Sequence, residues 1–443
     1  MRNLNVSLLL LLIAACGSYM ADTTSTPNTG GQTESSNQPP TTFQVAQVDL
    51  PRDTASSVSE QQIADLAQRG NDFAAELYRQ AITNSDQNLT FSPYSITQTF
   101  SMLYAGAQNE TESELAQVFS YLPQETQHET LNALDQQVTT PGSVTEGYGA
   151  PFELNIVNAL WGQQNFPFRE AFLTTLAQQY GAGMYTLDFV NQPDPARQTI
   201  NDWVAQQTND RIPELLPANS IDELTRMVLT NAVYFKATWS MPFNEAATQP
   251  GTFTLIDQST VEIPMMQHDP IRTLYVEHES YQATRLGYAG NTVEMWVVLP
   301  REDRFTAVEG QLSGAFFDEL RNQAEQYDVT LSLPKFEIKS SLQLKPLLQS
   351  MGVVTAFDKQ TADFSAIVEK PELFVADAFH ESTIIVDEQG TEATAATGAI
   401  VIPQSMVQEA EMNINRPFIF AIVDRETGAI LFLGRVMNPA DGG

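Results

Sequence analysis

Four histidines, His128, His268, His278 and His380, are the side chains of this 443-residue chain best suited to proton transfer near neutral pH. A hydrolytic constellation would need one of them beside a nucleophile, but the chain has no G-x-S-x-G elbow to present a serine. Cys16 is its one cysteine, so no intrachain disulfide forms. His, Cys and carboxylates do not cluster at metal-ligand spacing, and there is no P-loop or G-x-G-x-x-G turn. The chain therefore reads as a non-enzyme with no cofactor and no metal. Its 54 acidic against 22 basic residues give a formal charge of -32, which repels nucleic acid and anionic membrane alike. That charge serves solubility, with a saline habitat as the second reading.

The chemistry on offer is instead a change of backbone partners. Residues 388–406 read EQGTEATAATGAIVIPQSM. Taken as a strand, Thr391, Ala393, Ala395, Thr397, Ala399 and Val401 face one side, all small or apolar and uncharged, and Glu392 faces the other. No proline lies between Gly390 and Ile402, so every N–H there can join a ladder. Ala and Gly give little reason to be a strand at the outset. On composition a flexible Ala/Thr linker fits equally well.

The elements that must hold such a segment are legible around it. Ile63, Leu66, Phe73, Leu77 and Ile82 recur at helical spacing. Ser92 and Pro93 suit the start of a second helix. Strand-like runs cover 154–161, 227–235, 292–299, 329–336, 383–386, 418–423 and 429–436, so the class is α+β with a large mixed sheet. We expect one domain over 61–443. Residues 17–60, rich in Ser, Thr, Asn, Gln and Pro, read as a disordered tether. Residues 1–16 have the short apolar anatomy of a secretory signal. Cys16, after Leu12-Ile-Ala-Ala15, resembles the lipobox of bacterial lipoproteins, which implies lipidation at Cys16.

The hinge Glu388-Gln-Gly-Thr-Glu-Ala393 resembles that of the serpins, the serine protease inhibitors. So do Asn88-Leu-Thr-Phe-Ser-Pro-Tyr-Ser-Ile96, Thr230-Asn-Ala-Val-Tyr-Phe-Lys-Ala-Thr-Trp239, Leu333-Pro-Lys-Phe336, Met351-Gly352 with Asp363-Phe364-Ser365, and Arg416-Pro-Phe418. These motifs follow in family order over about 63–439. The resemblance implies the serpin fold with about eight to nine helices and an exposed reactive loop. It also implies an irreversible suicide mechanism against serine, and by extension cysteine, proteases: the loop is cut, then inserts as a strand in the main sheet and drags the acylated protease with it.

Carried over residue by residue, the resemblance makes Glu388, Gly390, Thr391, Glu392, Ala393, Thr394, Ala395, Ala396 and Thr397 the hinge. It makes Ser92, Ser95, Asn231 and His380 the polar cluster under the opening strands. Trp239 and Lys335 fall where the loop enters, with Lys335 a partner for Glu388. Counting from the hinge places the cut at Gln404-Ser405; counting back from Pro417 places it at Met406-Val407. Neither first residue is basic, which favours elastase-, chymotrypsin- or subtilisin-like targets. The expected state is a monomer, lipid-anchored to a bacterial envelope and facing the periplasm or the exterior, touching membrane only through that lipid. Two other classes stay open: a non-inhibitory serpin whose loop is only a substrate, and a surface lipoprotein that merely presents a loop.

Overall fold

The computed structural model describes residues 43–55, 57–82, 84–140, 152–369, 373–391 and 408–441. In chain order these form β1 (Gln44–Ala46), α1 (Glu60–Ala81), β2 (Leu89–Phe91), α2 (Pro93–Tyr104), α3 (Asn109–Phe119), α4 (Gln124–Val138), β3 (Glu153–Gln163), α5 (Glu170–Thr175), β4 (Met184–Leu187), α6 (Pro193–Gln207), β5 (Met227–Thr238), β6 (Gln249–Thr254), β7 (Thr260–Glu277), β8 (Tyr281–Gly287), β9 (Val293–Pro300), α7 (Phe305–Glu309), α8 (Gly314–Gln323), β10 (Glu325–Pro334), β11 (Phe336–Gln343), α9 (Leu344–Met351), β12 (Val375–Val386), β13 (Gly390–Thr391), β14 (Gln408–Asn413), β15 (Phe418–Asp424) and β16 (Ile430–Val436).

Local signals explain the termini that matter here. A reciprocal Ser59–Gln62 capping box opens α1. The Ser92 hydroxyl caps α2, with Pro93 in its first turn. The near-continuous apolar runs of β9, β15 and β16 are buried along their whole length, as strands covered on both faces must be.

A seven-stranded sheet runs β1-β4-β3-β5-β13-β12-β11, and β5 also pairs directly with β12. The second sheet runs β14-β10-β7-β8-β9-β15-β16-β2, with β6 on β7. One face of the first sheet lies against α2, through Asn231 to Ser95. The other buries Trp161, Val228, Ala232 and Phe379 against Ala196, Ile200 and Val204 of α6.

Two expectations change. The strand expected over 329–336 is two: β10 pairs with β7 in the second sheet, β11 pairs with β12 in the first, and Lys335 alone stands between them. Pro334 brings no N–H to the ladder and closes the first of these strands.

Part of the expected tether, residues 43–55 and 57–59, packs on the domain instead. β1 pairs antiparallel with β4, Gln44 opposite Thr186 and Ala46 opposite Met184. The Phe43 ring meets Trp161 and Tyr185 edge-on, centroids 5.7 and 5.4 Å apart. Composition hid this, because backbone pairing at a sheet edge and a single aromatic anchor need few apolar residues. Residues 1–42, with the expected signal and Cys16, lie outside the described residues.

Candidate functional site at the seam of the seven-stranded sheet

The sheet's central pairing joins two strands far apart in the chain. β5 and β12 run parallel, with Leu229 opposite Ala378, Asn231 opposite His380 and Val233 opposite Ser382. At one end of this seam β13 lies between them, Gly390 opposite Thr238 and Thr391 opposite both Ala237 and Val386. The hinge has thus already begun to separate the two strands.

Gly390 carries a φ of +153°, and a Cβ there would fall 2.0 Å from the Ala237 carbonyl oxygen. Only glycine lets the chain turn into the seam so close to a neighbouring backbone.

Three contacts hold that turn. The Trp239 indole N–H donates to the Asp387 carbonyl at 3.0 Å, and its ring stacks on Tyr288 at 4.5 Å. Tyr288 Oη and Thr391 Oγ1 are 2.8 Å apart and buried. Glu388 accepts from Lys335 Nζ and from Thr248 Oγ1, both at 2.7 Å. Burial pushes the Glu388 carboxyl up, but the hydrogen bonds from Lys335 and Thr248 outweigh it and hold the group below its ordinary value.

Midway down the seam sits the polar cluster, and the structure brings all four expected residues together. The Ser92 backbone N–H donates to His380 Nε2 at 3.1 Å. An amide N–H can only donate, so Nε2 accepts, and the ring proton must sit on Nδ1, where it meets Asn231 Oδ1 across the seam. Asn231 Nδ2 in turn lies 2.7 Å from Ser95 Oγ, 2.8 Å from Thr99 Oγ1 and 2.6 Å from Asn158 Oδ1. Complete burial pushes the His380 pKa down to about 3, which keeps the imidazole neutral.

Sequence reasoning missed Asn158, Thr99, Tyr288 and Thr248. Asn158 had a signal: with Asn155 it is one of two polar residues in the otherwise apolar run 154–161. Glu392, Ala393, Thr394, Ala395, Ala396 and Thr397 of the hinge lie outside the described residues. So do both candidate bonds, Gln404-Ser405 and Met406-Val407.

The remaining histidines occupy separate places: His128 Nδ1 meets Tyr180 Oη, His268 Nδ1 meets the Asp269 carbonyl, and His278 Nδ1 accepts the Ser280 N–H. Among the described residues no group of three or more His, Cys, Asp or Glu could hold a metal ion.

The serpin family, described as serine protease inhibitor, matches residues 68–439. The chain belongs to the serpin family. It is 36% identical to the uncharacterized serpin-like protein TK1782 of Thermococcus kodakarensis, over 99% of this chain and 98% of the relative. It is 32% identical to the leukocyte elastase inhibitor of Equus caballus, over 84% of this chain and 99% of that one. Among solved structures, the native state of the thermophilic serpin tengpin superposes with a TM-score of 0.77 at 28% identity, covering 89% of this chain and all of that one.

A titration follows from the geometry. An imidazole held neutral in the fold, near 3 for His380 and near 4 for His128, takes up a proton at about 6.5 once unfolded. The unfolded chain then binds more protons, so stability falls as pH drops below about 6.5. In thermal melts the advantage of wild type over H380Q shrinks steadily from pH 6.5 to pH 4. A gap that does not change with pH would contradict the assignment.

Proposed function

We propose that this serpin is an irreversible suicide-substrate inhibitor of serine proteases, acting as a monomer that is lipid-anchored through Cys16 to a bacterial envelope. The observation that carries the reading is the position of β13, with Gly390 and Thr391 seated at one end of the β5–β12 seam. A loop continuing from Thr391 needs only to keep the ladder it has begun.

Extending those two registers down the seam gives each hinge residue a place. Ala393 would face Phe235 and Ile384, and Ala395 would face Val233 and Ser382, on the face buried against the core. Thr397 would arrive between Asn231 and His380, the pair now hydrogen-bonded across the gap. Insertion must break that buried bond, and an unpaired polar group there costs about 1–3 kcal/mol. A threonine hydroxyl, donor and acceptor at once, can partner both. The small, uncharged inward set from Thr391 to Val401 fits this path and disfavours the non-inhibitory alternative, in which nothing selects against a bulky or charged side chain at these positions.

After a cut at Gln404-Ser405, or at Met406-Val407, the freed loop is long enough to reach the far end of β5. Opening requires β5 and β12 to separate by one further strand width, about 4.8 Å. The protease supplies the acyl chemistry, and this chain supplies bait and trap. Elastase-, chymotrypsin- or subtilisin-like enzymes fit the uncharged Gln404 or Met406 better than a trypsin-like pocket does.

The test is to mix the chain lacking residues through Cys16 with each protease class and run denaturing gels. A detergent-resistant complex with a new N-terminus at Ser405 or Val407 is expected; clean cleavage with fully active protease would leave a serpin fold put to another use. Two variants probe the register. T397R turns the chain into a plain substrate, with moles of inhibitor consumed per protease rising more than about tenfold. T397V lowers the melting temperature of the cleaved form, by about 1–3 kcal/mol of stability, and leaves the intact form unchanged.

A further inference from the structure

Segment 43–59 lies N-terminal to the residues matched by the family, and it is tied down by more than β1. Arg52 Nη2 donates to Asp135 Oδ2 on α4 at 2.6 Å, and its Nε donates to Asn132 Oδ1 at 2.8 Å. The Asp53 carbonyl accepts from Asn132 Nδ2 at 2.8 Å, and Ser57 bonds Glu129. The sheet edge leaves room for the segment, since a Cβ on Gly183 would come within 2.7 Å of Val45 Cγ1.

Asp135 is 7% exposed, and Arg52 is its one ion-pair partner among the described residues. Its other oxygen, Oδ1, accepts from Tyr94 Oη at 2.7 Å and from Gln98 Nε2. Because Gln98 spends its amide N–H on that carboxylate, it turns its Oε1 toward Asn158 Nδ2, 3.1 Å away. Asn158 then offers Oδ1 to Asn231 Nδ2 at 2.6 Å, and Asn231 offers its own Oδ1 to His380 Nδ1. The chain ends where His380 Nε2 accepts the Ser92 N–H. Each amide's orientation matches the one before it, between a carboxylate that only accepts and a backbone N–H that only donates, and the Ser95 carbonyl, accepting from Asn158 Nδ2 at 3.2 Å, holds the middle amide as well.

We infer that Arg52 is a positioning residue for the opening of the sheet: from the N-terminal strap it fixes Asp135, and through Gln98, Asn158 and Asn231 it orients the hydrogen bond that closes the seam at His380. The strap also joins sheet to helix: β1 pairs with β4, while Arg52 and Asp53 grip α4. Without the guanidinium, Asp135 is a buried carboxylate lacking its ion pair, and it swings or draws in water to regain a partner. Its Oδ1 then no longer stands where it fixes the Gln98 amide, and the seam loosens from Asn158 onward.

The opening itself rests on the proposed inhibitory function, so the test is read without a protease. Hydrogen–deuterium exchange is followed on the full chain at the β5 and β12 amides, residues 228–234 and 377–383. R52A speeds exchange there by roughly tenfold, the size expected of coupled buried groups. R52K, which keeps the charge, restores most of the protection. D135N, which keeps the shape and loses the charge, speeds exchange as R52A does and provides the reading should R52A fold poorly. N158A also speeds it, and R52A/N158A is no faster than N158A alone because both act through one chain. S57A, which loosens the strap away from Asp135, leaves the seam unchanged. Faster exchange confined to 43–59 and α4 in R52A, or full additivity in the double variant, would overturn the inference. A wild-type chain that traps no protease would sink the inhibitory reading and leave this test standing.

Discussion

The hydrogen bond between His380 and Asn231 is the constraint around which the rest of the molecule is arranged. It crosses a parallel pairing between strands far apart in sequence, in a place with no solvent to replace either partner. A buried neutral imidazole and a buried amide must each be paired wherever they are, so every neighbour is chosen to keep them satisfied. Ser92 and Ser95 do so from the start of α2, Thr99 from its next turn and Asn158 from β3. An all-apolar seam would hold β5 and β12 together without this directional demand. The polar one makes their contact specific and also makes its rupture depend on a replacement partner.

The two ends of the seam are built differently. Where the loop turns in, aromatic area and a single ion pair hold the hinge: Trp239 over Tyr288, and Lys335 on Glu388. Glu388 is largely buried while Lys335 is 39% exposed, so this pair is only partly screened. Lys335 can reach it because it is the one residue between the strand that leaves the second sheet and the strand that enters the first. The junction of the two sheets is thereby joined to the point where the loop leaves them. Further along, α6 covers the outer face with aliphatic side chains, which tolerate sliding better than hydrogen bonds do.

Much of this is legible in the order of the amino acids. The alternation of small uncharged side chains from Thr391 to Val401 shows a segment able to become a strand, because a strand's period of two is a local property; that it is a hinge is what the family resemblance implies. Ser92, Ser95, Asn231 and His380 were named from the family resemblance, and the four meet at the β5–β12 seam. Arg52 carries no such signal. A lone basic residue in a Ser/Thr/Pro-rich stretch looks like solvated tether, and nothing in its neighbourhood points to a carboxylate 83 residues away.

The sequence by itself determined the α+β class, the buried strands, the helix start at Ser92, and a segment from Gly390 onward able to be either loop or strand. Those are written in periodicity, capping residues and the absence of proline, all of which act over a few residues. Tertiary structure alone decided which polar groups meet: Asn158 with Gln98, Tyr288 with Thr391, Arg52 with Asp135. Hydrogen-bond partners across a sheet or between a strap and a helix depend on register and approach distance. Those are set only when the whole core closes, since a shift of one residue along β3 or β13 would turn Asn158 or Thr391 to the opposite face.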